Sequence, residues 1–71
     1  MFEPKLKEVR RWHLCCPGLK VNCRTKANAI RWGRLARQAG KDVTLTEEYD
    51  LFEGGKLVDH QEFDRTTLIT L

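Results

Sequence analysis

The chain has 71 residues, of which 41% are hydrophobic and 32% are charged, and its formal net charge is +3 at pH 7. This length allows one domain, residues 1–71, and the two tryptophans and the apolar fraction favour a folded chain over a disordered one. No apolar run approaches the roughly 20 residues of a membrane span, and the start lacks the apolar stretch of a signal peptide, so we expect a cytoplasmic protein that does not bind membranes.

Residues 1–6 are interpreted as a flexible arm, because Pro4 blocks regular strand pairing there. Residues 8–24 are predicted to form a β-hairpin that turns at Pro17-Gly18, with a bulge or a longer loop as the alternative because Pro-Gly favours type II turns. Folding about this turn places three apolar pairs on one face (Cys16–Leu19, Leu14–Val21 and Trp12–Cys23). The pairs Cys15–Lys20, His13–Asn22 and Arg11–Arg24 then lie on the outer face, so one register separates the apolar from the polar side chains.

Residues 26–39 are predicted to form a helix, with Thr25 as N-cap and Gly40 just beyond its end. A helical period places Ala29, Trp32 and Ala36 on one side, which we expect to face a sheet. Arg31, Arg34 and Arg37 fall on the opposite side, with Lys26 at its edge.

Residues 42–64 are predicted to form a second hairpin around Gly54-Gly55. The pairs are then Glu53–Lys56, Leu51–Val58 and Tyr49–His60, with a bulge near Glu47-Glu48 as an alternative. This register also sets Asp50 against Asp59, which is unfavourable for like charges. The tail, residues 65–71, is uncharged from Thr66 onward. It is expected to be held in place as an edge strand, by docking on a partner or by pairing with a second copy. The fold class is α+β: a ββαββ order with an antiparallel sheet and one helix packed on one face.

The charges are distributed very unevenly along the chain. Residues 1–41 carry eleven Lys/Arg and two Asp/Glu, a balance of +9, whereas residues 42–71 carry two Lys/Arg and eight Asp/Glu, a balance of −6. Such a chain presents a basic and an acidic surface if its halves fold onto separate faces. The predicted basic face comprises Arg31, Arg34, Arg37, Lys26, Arg11, Lys20 and Arg24. The predicted acidic face comprises Glu47, Glu48, Asp50, Glu53, Asp59 and Glu62.

Disulfide bonds, metal sites and catalytic residues are only weakly indicated by the sequence. Three cysteines, an odd number, argue against a secreted disulfide framework and favour reduced thiols. His13 and the cysteines lack the spacing of a zinc site. His13 and Cys15 are not predicted to be a catalytic pair, because the sequence offers neither an orienting third group nor a nucleophile turn. The acidic cluster lacks the spacing of a calcium loop. We therefore expect no metal, no cofactor and no enzymatic activity.

The layout from Trp12 to Phe63 resembles small bacterial and phage domains of unassigned function. The matching stretches are Thr25-Lys-Ala-Asn-Ala29 at the helix start and Glu53-Gly-Gly-Lys56 at the second turn. In size, α+β order and segregated charge, the chain also looks like compact phage anti-defence proteins, anti-CRISPR proteins among them. These resemblances imply a phage or mobile-element inhibitor or adaptor.

Two functions follow from the sequence. The first is a small interaction protein that binds a larger protein or a nucleoprotein complex through its charged faces. The alternative is a nucleic-acid-binding domain that grips phosphates with the helix arginines, although no exposed aromatic platform is expected. A homodimer through the tail or an edge strand is compatible with both.

Overall fold

A computed structural model describes residues 5–70 of the chain. The elements are β1 (Leu6–Cys16), β2 (Leu19–Cys23), α1 (Lys26–Gln38), β3 (Thr44–Glu53), β4 (Lys56–Asp64) and a short 3-10 helix (Thr66–Ile69). The strands form one antiparallel sheet in the order β2-β1-β3-β4. The predicted α+β class, with one helix and an antiparallel sheet, is therefore confirmed, and the ββαββ order is matched in part because a 3-10 helix follows β4.

The first hairpin has the predicted register. Trp12 pairs with Cys23, and Leu14 pairs with Val21. Trp12 and Leu14 are each 6% exposed and lie on the face of the sheet that carries α1. Leu19 and Val21 stay exposed at the edge of the sheet, so the apolar pattern specified the register correctly but overstated the burial of β2.

Helix α1 begins where the sequence predicts, because the side chain of Thr25 accepts a hydrogen bond from the backbone N–H of Asn28. Gly40, with φ of +81°, follows the helix in the left-handed conformation that favours glycine. The buried residues of α1 are Ala29 and Gly33. The predicted inward position of Trp32 is wrong, since this residue is 55% exposed. A stripe of small residues at i and i+4 faces the sheet instead and leaves no room for an indole.

The second hairpin departs from the predicted register. Glu53 pairs with Lys56 and Phe52 with Leu57, but a bulge then shifts the pairing by one residue. Asp50 consequently pairs with His60 and not with Asp59. The predicted pairs Leu51–Val58 and Tyr49–His60 are wrong for the same reason, and the bulge lies beside Leu51 and Phe52, away from the expected Glu47-Glu48.

The tail is held in place, as expected, but as a 3-10 helix and not as an edge strand. Ile69 is 0% exposed and packs into the core with Leu14, Leu45 and α1. The backbone N–H of Leu45 donates to the hydroxyl of Thr66, at 3.0 Å. These contacts attach residues 66–69 to both the sheet and the helix.

The other end of the sheet begins earlier than expected. Leu6 is the first residue of β1, and the backbone N–H of Gly54 donates to the carbonyl of Lys5 at 3.1 Å. The predicted arm therefore does not include residues 5 and 6, and its residues 1–4 lie outside the described range. The paired strands give the molecule its long shape, with extents of 55 × 21 × 15 Å.

Candidate interaction surface

One face of the sheet carries no helix, and we call it the open face. Side chains alternate between the two faces of a strand, and residues that pair across strands share a face. Trp12, Leu14 and Leu45 face α1, so the neighbours of these residues along the strands belong to the open face. The open face thus includes the following residues of the four strands: Lys7, Val9, Arg11, His13, Cys15, Lys20, Asn22, Thr46, Glu48, Asp50, Phe52, His60 and Glu62.

A row of four charged residues crosses the middle of the open face. Arg11 pairs with Glu48, and Glu48 pairs in turn with Glu62. Arg24 directly follows Cys23, the last residue of β2, and lines one groove together with Arg11 and His13, so it lies near Arg11 at the β2 edge. From the β2 edge to the β4 edge the row therefore runs basic, basic, acidic, acidic. The two halves of the sequence meet on one face of the sheet, between β1 and β3.

The β2–β1 side of this face is the basic half. Its cationic side chains are exposed and comprise Lys7, Arg11, Lys20 and Arg24. Within residues 5–70, no Lys or Arg from this half lies within ion-pair distance of a carboxylate, and the one such bridge of a Lys or Arg joins Arg65 to Glu47. The basic half therefore keeps its charge available to a partner.

His13 lies at the junction of the two halves and is 8% exposed. One ring nitrogen lies 2.5 Å from Oδ1 of Asn22, and the other lies 3.2 Å from Oε2 of Glu48. The sequence predicts an outward side chain, and His13 does point to the open face, but flanking side chains bury it. The contacts fix the position of the Glu48 carboxylate, whose side chain remains 20% exposed.

The β3–β4 side is the acidic half, formed by Glu48, Asp50 and Glu62. His60 lies among these carboxylates, with Nδ1 at 2.5 Å from Oδ1 of Asp50 and Nε2 at 3.8 Å from Glu62. The hydrogen bond to Asp50 raises the pKa of His60 above its ordinary 6.5, and the charges of Asp50, Glu62 and Glu48 act in the same direction against a smaller opposing effect of burial. The positive charge of His60 is thereby favoured inside an acidic cluster.

The other predicted acidic residues lie elsewhere. Glu47 faces α1, is 7% exposed and accepts hydrogen bonds from the guanidinium of Arg65. Asp59 pairs with Leu51 on that same face and accepts from Gln61. Glu53 lies at the tip of the second hairpin. The six predicted carboxylates are therefore divided between both faces of the sheet, and three of them share the open face.

The helix arginines also separate into two kinds. Lys26, Arg31 and Arg34 are exposed. Arg37 is half-buried, and its Nη2 donates to the carbonyl of Val43 at 2.9 Å, so this side chain ties the helix to the start of β3. The predicted basic face of α1 therefore has no outward arginine at its last position.

Sequence reasoning missed an exposed aromatic residue on α1. The guanidinium carbon of Arg31 lies 5.9 Å from the ring centroid of Trp32. The signal that was available is the spacing of Ala29, Gly33 and Ala36, because a stripe of the smallest residues is the side of a helix that approaches a sheet most closely. The surface of α1 thus offers an aromatic ring beside one cation, Arg31.

The cysteines are free thiols, and Cys15, Cys16 and Cys23 are each half-buried. Cys16 and Cys23 pack against the core, whereas Cys15 lies on the open face opposite Lys20. Across residues 5–70, no group of three or more His, Cys, Asp or Glu side chains is arranged to hold a metal ion. This part of the chain also contains no helix of the length and apolar character needed to cross a membrane.

Comparison with known proteins adds no relative. No protein-family model matches the chain, and neither a curated protein nor a solved structure gives a significant match.

Proposed function

We propose that the protein is a small, non-enzymatic interaction module whose docking surface is the open face of its sheet. The observation that carries the proposal is the central row, in which Arg24 and Arg11 on one side lie level with Glu48 and Glu62 on the other. A surface divided in this way selects a partner whose charges have the opposite arrangement, and it rejects partners of uniform charge.

The site is suited to docking a broad surface. The charged groups project from paired strands, which hold them at fixed spacings of about 5 Å between strands. Glu48 and Asp50 are further oriented by their bonds to His13 and His60. Such preorganisation lowers the entropic cost of binding, and long-range attraction between opposite charges accelerates association.

The finer role that we propose is that of a phage or mobile-element inhibitor or adaptor acting in the cytoplasm on a larger protein or nucleoprotein complex. The small size, the charge pattern and the resemblance of residues 12–63 to small phage and bacterial domains support this role.

Affinity capture with charge-reversed variants tests the proposal. The immobilised protein is compared with Arg11→Glu and Glu62→Lys, and with Arg31→Glu as a matched control on α1. We expect wild type and the control to retain the same bacterial proteins at low salt, both open-face variants to lose them, and molar salt to release them. Equal retention by all four proteins, or retention that molar salt leaves unchanged, would contradict a charge-guided open face.

A nucleic-acid-binding function is the second candidate, and the exposed Trp32 favours it. Arg31 lies beside this ring and Arg34 is exposed further along α1, and bases stack on exposed aromatic side chains while guanidinium groups hold the phosphates. Fluorescence anisotropy with labelled single-stranded and duplex oligonucleotides tests this function at low salt. We expect Trp32→Ala to weaken single-strand binding and Arg34→Glu to weaken both, with Glu62→Lys as the control. No binding of either oligonucleotide would eliminate this candidate.

A further inference from the structure

We propose that the open face docks on the open face of a second copy of this chain, so that the basic half of each copy covers the acidic half of the other. This inference rests on the proposed use of the open face as a docking surface, and it adds a second copy as an occupant that a larger partner would displace. It differs from a dimer through the tail or an edge strand, because the contact is between faces of two sheets.

The geometry follows from the order of charges across the sheet. A two-fold axis parallel to the strands, placed over the boundary between β1 and β3, reverses the strand order of the second copy while keeping each row at its own level. The acidic end of the second copy's row then lies over the basic end of the first. Arg11 meets Glu48 of the other copy, and Arg24 meets Glu62. Each contact occurs twice, as an isologous interface requires.

The alternative self-contacts are less favourable. The free edge of β4 carries Asp59, Glu62 and Asp64, so pairing two β4 edges would bring like charges together. The apolar tail residue Ile69 is already buried within its own chain. A two-fold axis across the strands would instead place basic half on basic half. Only the axis along the strands gives opposite charges throughout the central row.

Apolar contact contributes at the end of the sheet that lies beyond α1. The open face there contains a groove of about 460 Å³ lined by Lys7, Val9, Arg11 and Phe52. The same two-fold axis lays the aliphatic stem of Lys7 from one copy over the ring of Phe52 in the other. This contact removes apolar surface from water while the ammonium group stays at the rim.

The size of the face predicts a weak dimer. The strands have 11, 5, 10 and 9 residues. At about 3.3 Å per residue and about 4.8 Å between strands they present a face of roughly 500–600 Å² per copy, near the lower limit of specific interfaces. The interface is also polar, so much of its attraction is offset by desolvation of the charges. We therefore expect association that depends on protein concentration and weakens as salt is added.

Sedimentation velocity over a concentration series at low salt tests the dimer. Wild type is expected to shift from monomer to dimer with concentration. Two variants give the central row a single sign of charge: Arg11→Glu with Arg24→Glu makes it acidic, and Glu48→Gln with Glu62→Lys makes it basic. Each alone is expected to associate at least about tenfold more weakly than wild type. Mixed together, they are expected to form a heterodimer, because each restores the complement that the other lacks.

Matched controls separate this contact from general charge attraction. Arg31→Glu with Arg34→Glu changes the net charge as the acidic variant does, but on α1, and should dimerise like wild type. Glu53→Gln with Asp59→Lys matches the basic variant in charge and should not pair with the acidic variant. Circular dichroism checks that each variant is folded, and the single changes Arg24→Glu and Glu62→Lys, both at exposed positions, replace any double variant that is not.

Three results would overturn the inference. They are a wild-type protein that remains monomeric at every concentration, a mixture of the two open-face variants that fails to associate, and a helix control that loses the dimer as the acidic variant does. A monomeric wild type whose affinity capture still depends on Arg11 and Glu62 would leave the proposed function standing. Loss of that dependence, with the dimer intact, would remove the proposed function alone.

Discussion

Ile69 occupies the space that a side chain at Gly33 would need, because a Cβ built on Gly33 would lie 2.6 Å from Cγ2 of Ile69. The same Cβ would lie 3.1 Å from Cδ2 of Leu14. This contact joins α1, the sheet and the 3-10 helix at one point. It also explains why position 33 is glycine, although the same side of the helix carries alanine one turn earlier, at Ala29, and one turn later, at Ala36.

Gly33→Ala should destabilise the protein although alanine is the better helix former. Helix propensity favours alanine by roughly 1 kcal/mol, and overpacking of the core costs about 1–3 kcal/mol, so the overpacking should dominate. Urea denaturation measures the difference. Combining the change with Ile69→Ala should remove part of the clash, so the two effects should not add. An unchanged or higher free energy of unfolding in Gly33→Ala would contradict the close packing of α1 on Ile69.

Leu45→Ala should leave much of the protein unfolded at 25 °C. Leu45 is 0% exposed, and such truncations cost about 2–5 kcal/mol, which is comparable to the roughly 3–5 kcal/mol that a core of this size supplies. Val58→Ala is the control, since Val58 is 52% exposed and lies at the bulge. Thermal unfolding followed by circular dichroism compares the two. Similar midpoints for both variants would show that the core does not centre on Leu45.

Removing the N-cap of α1 should cost about 1 kcal/mol, because Thr25→Ala leaves the N–H of Asn28 without its side-chain acceptor. Thr25→Ser keeps the acceptor oxygen and should stay near the wild-type free energy of unfolding. Urea denaturation distinguishes them. If both variants lost the same free energy of unfolding, the cause would be the missing methyl group of Thr25 and not the missing cap.

The stability of the protein should depend on pH through His60. Its pKa is raised in the folded state, chiefly by the hydrogen bond to Asp50, so its contribution is fully present below the unfolded pKa of about 6.5 and is lost as pH rises through the folded value. NMR titration should give His60 a pKa above 6.5 in wild type and a lower value in Asp50→Asn. Urea denaturation of wild type and His60→Gln should differ most at the acidic side of this window. A His60 pKa unaffected by Asp50→Asn would refute the hydrogen bond to Asp50 as the cause of the raised pKa.

The two tryptophans should respond differently to a quencher in solution. Trp12 is 6% exposed and Trp32 is 55% exposed. Iodide or acrylamide should therefore quench the fluorescence of Trp12→Phe, which retains Trp32, more strongly than that of Trp32→Phe. Trp32→Phe should also leave the free energy of unfolding within about 0.5 kcal/mol of wild type, as surface substitutions usually do. If Trp12 were quenched more strongly than Trp32, Trp32 would face the sheet, as the sequence predicts.

The sequence specified the first hairpin because one register satisfied both faces of β1 and β2. Trp12 opposite Cys23 and Leu14 opposite Val21 put the apolar residues of both strands on one face, and this register is the one observed. The N-cap of α1 was equally clear, since Thr25 has the required side-chain oxygen. Local rules sufficed where the relevant contacts lie close together along the chain.

Tertiary packing decided the rest. Trp32 is large and apolar and so is expected inside, but the sheet admits only the stripe of Ala29 and Gly33. The pairing of β1 with β3 joins residues that are distant in sequence, and no local pattern predicts which strands become neighbours. The sequence therefore predicted only part of the open face. Arg11, Lys20 and Arg24 were recognised as basic members, but Lys7 and the position of Arg11 beside Glu48 were not.

A single inserted residue in β4 determines what Asp50 meets. With Val58 set aside by the bulge, the imidazole of His60 lies against that carboxylate. Had the strand continued in phase, Asp59 would occupy the position, His60 would project toward the opposite surface, and two anions would share one rung of the ladder. The length of the chain between the turn and this rung thus decides whether the rung carries an attractive or a repulsive pair, independently of which amino acid occupies the extra position.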